Sequence, residues 1–177
     1  MIFNDPYKDD YDHRPVKDAK GHFKDEFYYK GERTDLEMDA PQKRKAVLKS
    51  FLCGFGMLAA TLLPGFVEHP ASRVLWVTVP WACCFLPACY YLLGAFEFAT
   101  SGTSMSRRQY DHSIVRMRRS AMGVLVFAVL NLLTAMVYII LHHDVKELLY
   151  ICSFIPMAGL SVLTVQWVKK GILKGKI

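Results

Sequence analysis

Four stretches of this chain, residues 51–67, 74–96, 120–141 and 148–168, contain no Lys, Arg, Asp or Glu and are predominantly apolar. A helix rises about 1.5 Å per residue, so crossing a hydrocarbon core of about 30 Å takes roughly 17–25 residues, and each stretch reaches that length. Residues 46–50 add a lead-in to the first, giving expected spans at 46–67, 74–96, 120–141 and 148–168. Periodicity argues against a water-soluble bundle, because soluble helices keep a polar face at 3.6-residue spacing and residues 74–96 carry no charge on any face. The expected fold class is an all-α integral membrane protein: four transmembrane helices arranged as two hairpins, an N-terminal arm of residues 1–45, and a basic tail of residues 169–177.

The flanks of the spans predict an orientation. Lys43, Arg44, Lys45 and Lys49 sit at the first span, Arg107, Arg108, Arg116, Arg118 and Arg119 lie between the second and third, and Lys169, Lys170, Lys174 and Lys176 follow the fourth. The other two connectors, 68–73 and 142–147, hold only Arg73 and Lys146. Basic loops stay on the cytoplasmic side, so both termini are expected inside. The acidic and aromatic start of the chain does not resemble a cleavable signal peptide.

Charge is unevenly placed. Residues 1–45 carry ten Lys or Arg against eleven Asp or Glu, a net of −1, and the rest of the chain carries twelve against five, a net of +7. Topology and attraction to anionic lipid headgroups account for that excess without nucleic acid. The five arginines of residues 107–119 are the headgroup candidates, whereas Ile114, Val115 and Met117 make too small an apolar patch for an interfacial helix.

An offset of 76 positions pairs Lys43 with Arg119, Glu68 with Asp144, and Pro80 with Pro156. Such symmetry predicts two parallel helical hairpins related by an axis along the membrane normal. Pro80, Pro87 and Pro156 fall inside spans, where each removes one backbone donor and frees the carbonyl four residues earlier, so the second span is expected to bend. Polar groups at depth are few: Asn131, Ser161 and Thr164, with Glu97 at the end of the second span. Ion-coupled transport places ionisable groups near the midplane, while Asn, Ser and Thr serve interhelical hydrogen bonding.

Cys53, Cys83, Cys84, Cys89 and Cys152 all lie within spans, and none has the Cys-x-x-Cys spacing that activates a thiol. By residue type His69, His142, His143 and Asp144 are candidate ligands for a divalent metal, but they match no ligand spacing, and neither metal nor cofactor is expected. Small multidrug exporters and quinone-linked thiol oxidases share the four-span outline alone. The first need a carboxylate in the opening span and the second a Cys-x-x-Cys, and this chain has neither.

The arm is the least generic segment. Phe3, Tyr7, Tyr11, Phe23, Phe27, Tyr28 and Tyr29 make it too aromatic for a solvated tail. Residues 18–21 and 30–32 read as turns around an extended or helical segment at 23–30, and Asp39 and Pro41 mark the start of the first long helix. Tyr and Trp residues near the span ends suit interfacial belts, and Gly56 and Ala60, four apart, suit close helix contact within or between chains. Two functions are expected from these features. The favoured one is a non-enzymatic accessory subunit or adaptor, in a bacterial plasma membrane, that binds another protein through its arm. The alternative is a small oligomeric transporter or channel lined by Asn131, Pro80, Pro87 and Pro156.

Overall fold

In the computed structural model, which describes residues 6–17, 23–36, 38–68, 70–142 and 147–169, helix α1 (Ala40–Leu62) starts where the charge-balanced arm gives way to apolar sequence. Asp39 is its N-cap residue, with its backbone N–H donating to Gln42 Oε1 at 3.2 Å, and Pro41 occupies the first turn, where a missing N–H costs nothing. Pro64 stops the helix, and the chain leaves through a 3-10 turn at Leu63–Phe66.

The second span is in two pieces, α2 (Leu75–Cys83) and α3 (Phe85–Thr100). Pro87 cannot donate to the Cys83 carbonyl, and at the junction Cys84 N–H reaches back only three residues, to Trp81 O at 3.0 Å, tightening the turn. The bend expected from Pro80 and Pro87 is this interruption. Pro156 leaves α6 (Glu147–Trp167) in one piece, so the two prolines paired by the 76-residue offset sit in spans of different build.

Helix α5 (Arg116–His142) extends the third span much further than its apolar run. It is preceded without a gap by α4 (Arg107–Tyr110) and a wide turn at Asp111–Val115, where Arg116 N–H bonds five residues back to Asp111 O. Ser113 favours the widening: its hydroxyl donates to Gln109 O at 2.6 Å, the acceptor its own N–H would use in an α-helix. Residues Arg107–Leu141 therefore make 35 continuous helical residues. At 1.5 Å per residue that is about 50 Å, roughly 20 Å more than a hydrocarbon core requires. The basic segment 107–119 is thus a helical extension of the third span rather than a loop.

Helix α1 packs on α3 and α6, and α5 packs on α2, α3 and α6, so the four spans form a ring in chain order. The Lys49 ammonium lies 5.3 Å from the Trp167 ring, placing the N-terminal half of α1 beside the end of α6. At the opposite end Trp81 Nε1 donates to Thr61 O at 2.7 Å, satisfying a carbonyl in the last turn of α1. Inside the ring are alanines, Met57, Met117, Met157 and the fully buried aromatics Tyr91, Phe98 and Phe154. Outside are Leu52, Phe55, Leu86, Phe96, Val126, Leu133, Ile140 and Leu163, all exposed. Large apolar side chains left on the outside of every span suit lipid as the surrounding solvent. All four spans are long and apolar enough to cross a membrane.

Close approach depends on glycine at two points. A Cβ on Gly94 would lie 3.0 Å from the Ser113 carbonyl oxygen and 3.2 Å from Met117 N, and one on Gly54 would lie 2.5 Å from Leu92 Cδ2. Gly56 faces Leu160 of α6, so the Gly56–Ala60 spacing is used inside the bundle. Buried hydroxyls bond both between and within helices: Thr61 reaches Met157 Sδ at 3.4 Å and Ser161 reaches Met57 Sδ at 3.8 Å across the α1–α6 contact. Ser50, Thr61, Ser161 and Thr164 each donate to the carbonyl four residues back in their own helix, at 2.7–2.9 Å.

The chain is not wholly helical. Strands β1 (Tyr11–Lys17) and β2 (Phe23–Tyr29) form an antiparallel hairpin, with Tyr11 opposite Tyr29 and Lys17 opposite Phe23. A second pair joins β3 (Arg33–Asp35) to β4 (Ser104–Ser106), immediately before α4. Of the segment expected at 23–30, Phe23–Tyr29 is strand, while the expected turn at 18–21 lies outside the described residues.

Candidate functional site

The arm is tied to the basic end of the bundle by a few specific bonds. Asp10 O accepts from the backbone N–H groups of Lys30 at 2.8 Å and Gly31 at 3.3 Å, closing the base of the hairpin. Tyr29 donates its hydroxyl to Glu32 O at 2.9 Å and accepts from Arg107 N–H at 3.0 Å, one of the donors a helix start leaves unpaired. Tyr7 donates to Asp111 Oδ2 at 3.1 Å; burial, then the Asp111 carboxylate, raises the Tyr7 pKa above its ordinary value. Leu36 N–H donates to Thr103 O at 3.0 Å, and Met105 of β4 is fully buried.

Away from that base the hairpin presents one aromatic face. Strand alternation puts Tyr11, His13, Pro15 and Lys17 on it, opposite Tyr29, Phe27, Asp25 and Phe23. Tyr11 and Tyr29 meet edge-on at 5.5 Å, His13 and Phe27 are 4.4 Å apart, and the Lys17 ammonium lies 5.3 Å from the Phe23 ring. Even so, Phe23 and Phe27 remain 71 % and 70 % exposed. On the opposite face Asp12 accepts from His13 N–H at 2.9 Å and from the Tyr28 hydroxyl at 3.2 Å, with Lys30 at 3.9 Å. These contacts, the His13 N–H foremost, hold the Asp12 carboxyl below the usual carboxylate range. A two-stranded hairpin is marginal in water on its own. This one rests on its base contacts while leaving large aromatic rings in solvent.

Beside the base is a groove of about 380 Å³ between α3 and the start of α5, lined by Tyr7, Tyr90, His112, Arg116, Arg119 and Ser120. Arg116 Nη2 lies 2.7 Å from His112 Nδ1. A guanidinium has no acceptor, so Nδ1 accepts and the ring proton sits on Nε2. Of the five arginines named from sequence, Arg116 and Arg119 line this groove, while Arg107, Arg108 and Arg118 are exposed outside its lining. The i, i+3 and i, i+4 spacing of His112, Arg116 and Arg119 was the available signal, and reading residues 107–119 as a loop hid it.

The remaining candidates do not converge. Asn131 is fully buried, donates to Phe127 O at 2.8 Å and lies 3.5 Å from Cys84 Sγ, at the interruption of the second span. Its Oδ1 has no partner among the described residues. Pro80 and Pro87 are half-buried on either side of that interruption, whereas Pro156 is on the exposed surface of α6. Glu97 is exposed near the end of α3 and forms no ion pair among the described residues. His69, His143 and Asp144 lie outside the described residues, and His142 is the last residue of α5. Among the described residues no group of three or more His, Cys, Asp or Glu side chains is placed to hold a metal ion. Compared with protein families, with curated proteins and with solved structures, the chain matches none.

Proposed function

We propose that this is a non-enzymatic four-span membrane protein, both termini cytoplasmic, that serves as an accessory subunit by docking a partner protein on the aromatic face of its hairpin. The basic ends of the spans support the orientation. The observation that carries the reading is the pair Phe23 and Phe27, 71 % and 70 % exposed on a face held in register by cross-strand contacts. Large aromatic rings on a preorganised, solvent-facing surface are what a buried interface core uses. A resting place on the bilayer is less suitable for this face: Asp25 stands between the two rings, and residues 1–45 have a net charge of −1, which anionic headgroups do not attract.

A photo-crosslinking amino acid at position 27 of the full-length chain in its native membrane tests this. A single protein adduct of fixed mass is expected there, and none from the same probe at Val16 on the opposite face. Adducts with lipid alone, or equal protein adducts from both positions, overturn the reading. The second reading, a small oligomeric transporter or channel, draws on the unpartnered Asn131 Oδ1 beside the helix interruption. It requires that Asn131→Leu abolish solute flux in proteoliposomes.

A further inference from the structure

The groove beside the arm has a depth, a charge and an apolar continuation. Gly94 of α3 lies against Ser113 and Met117, which sets Tyr90, one turn further along, level with the end of the basic segment. Ser120 is the first residue of the third charge-free run, and Arg119 and Arg116 occupy the preceding turn. Their guanidinium groups therefore stand at the hydrocarbon boundary, where phospholipid phosphates lie. Further into the bundle the same helices expose Leu86 on α3, one turn from Tyr90, and Met122 and Val126 on α5, three and seven residues from Arg119. An acyl chain entering beside Tyr90 would run along them.

The lining is suited to a phosphodiester. Two guanidinium groups offer paired donors of the kind phosphate oxygens accept. His112 Nε2–H adds a third donor, because its Nδ1 is occupied by Arg116. The lining also includes one carboxylate, Asp111, whose Oδ2 accepts from Tyr7. Two positive charges against one negative leave the groove cationic. We infer that this groove is a binding site for the phosphate of an anionic phospholipid, held by Arg116, Arg119 and His112 and covered on the arm side by Tyr7. A lipid seated there contacts the arm and the bundle together, so its occupancy would stabilise the base of the hairpin.

Native mass spectrometry of the full-length chain in mild detergent, titrated with phosphatidylglycerol, provides the test. The wild type is expected to retain phosphatidylglycerol in preference to phosphatidylcholine. Arg116→Gln with Arg119→Gln should weaken retention roughly thirty-fold, at the strength typical of two basic residues near a membrane surface. Arg108→Gln with Arg118→Gln removes the same charge outside the groove and should change retention less than about threefold. Equal losses from both double variants would reduce the effect to diffuse attraction and overturn the site. Equal retention of phosphatidylcholine would overturn the preference for an anionic headgroup, and displacement by millimolar inorganic phosphate would reassign the groove to a soluble phosphate-bearing ligand. Protection of residues 107–115 from amide exchange on adding phosphatidylglycerol, in wild type only, is the matching structural readout, and its absence would also overturn the site.

Discussion

The bundle and the arm are both rich in aromatic residues and use them in opposite ways. In the bundle Tyr91, Phe98 and Phe154 are fully buried, and at Tyr91 the facing Gly54 leaves the room, since a Cβ there would lie 3.0 Å from Tyr91 Cδ1. In the arm Phe23 and Phe27 have cross-strand neighbours but no second layer among the described residues, and stay exposed. Aromatic content therefore identifies neither region. What separates them is a covering layer: packed helices close over their rings, and a lone two-stranded hairpin leaves its own open.

The largest expected effect comes from removing that room. Gly94→Leu drives a side chain into the backbone of the wide turn at Asp111–Val115 and the first turn of α5, where a Cβ would already lie 3.0 Å from Ser113 O. Overpacking against backbone should cost about 3 kcal/mol in denaturant unfolding of the detergent-solubilised protein. Gly159→Leu, in an open position with nothing within 4 Å of its Cβ, should stay within about 0.5 kcal/mol. Similar losses at the two positions would show that helix approach is not what limits the bundle.

Smaller effects belong to the arm, and they divide its base from its face. Tyr29→Phe removes a hydroxyl that donates to Glu32 O and accepts from Arg107 N–H. The loss of about 1–2 kcal/mol should be confined to the arm, appearing as roughly tenfold faster amide exchange in β1 and β2 with the bundle unchanged. Phe27→Ser should alter hairpin exchange less, since one cross-strand pair contributes about 0.2–1 kcal/mol, yet it should eliminate partner recovery. If Phe27→Ser instead melts the hairpin while leaving partner recovery intact, the ring is structural and the docking face is elsewhere.

How much was legible follows from which physics set each part. The spans could be read because lipid-facing helices exclude charge on every side, and the start of α1 because Asp39 and Pro41 carry local cap chemistry. Strand β2 was half legible from Phe27, Tyr28 and Tyr29. Its partner, with Asp12, Arg14, Pro15 and Lys17, has no apolar alternation and is a strand only because β2 lies beside it. The β3–β4 pair joins residues about seventy positions apart, a distance at which local pattern carries no signal. The helix through residues 107–115 was missed because its arginines read as a polar connector, and the groove was missed with it, since its Arg116 and Arg119 share a face only on a helix and its Tyr7 arrives from the arm.

The smallest effect separates arm from bundle by pH. Asp12 ties the two strands together through the Tyr28 hydroxyl and Lys30, and with the His13 N–H these hold its carboxyl below the usual range. A depressed folded value means that the ionised form is favoured by folding, so the contribution is present above the unfolded carboxylate value of about 3.9 and fades as pH falls through the folded one. The Tyr28 ring resonances should therefore be constant from neutral pH to about 5 and shift below about 4, with hairpin order declining over the same range. Asp12→Asn should abolish the shift. Asp12 faces Tyr28 and Lys30 within the arm, so bundle unfolding measured in parallel should not follow this titration. A matching acid transition in the bundle would mean that hairpin and helices unfold as one unit, and the division between a rigid scaffold and a separately anchored arm would then be lost.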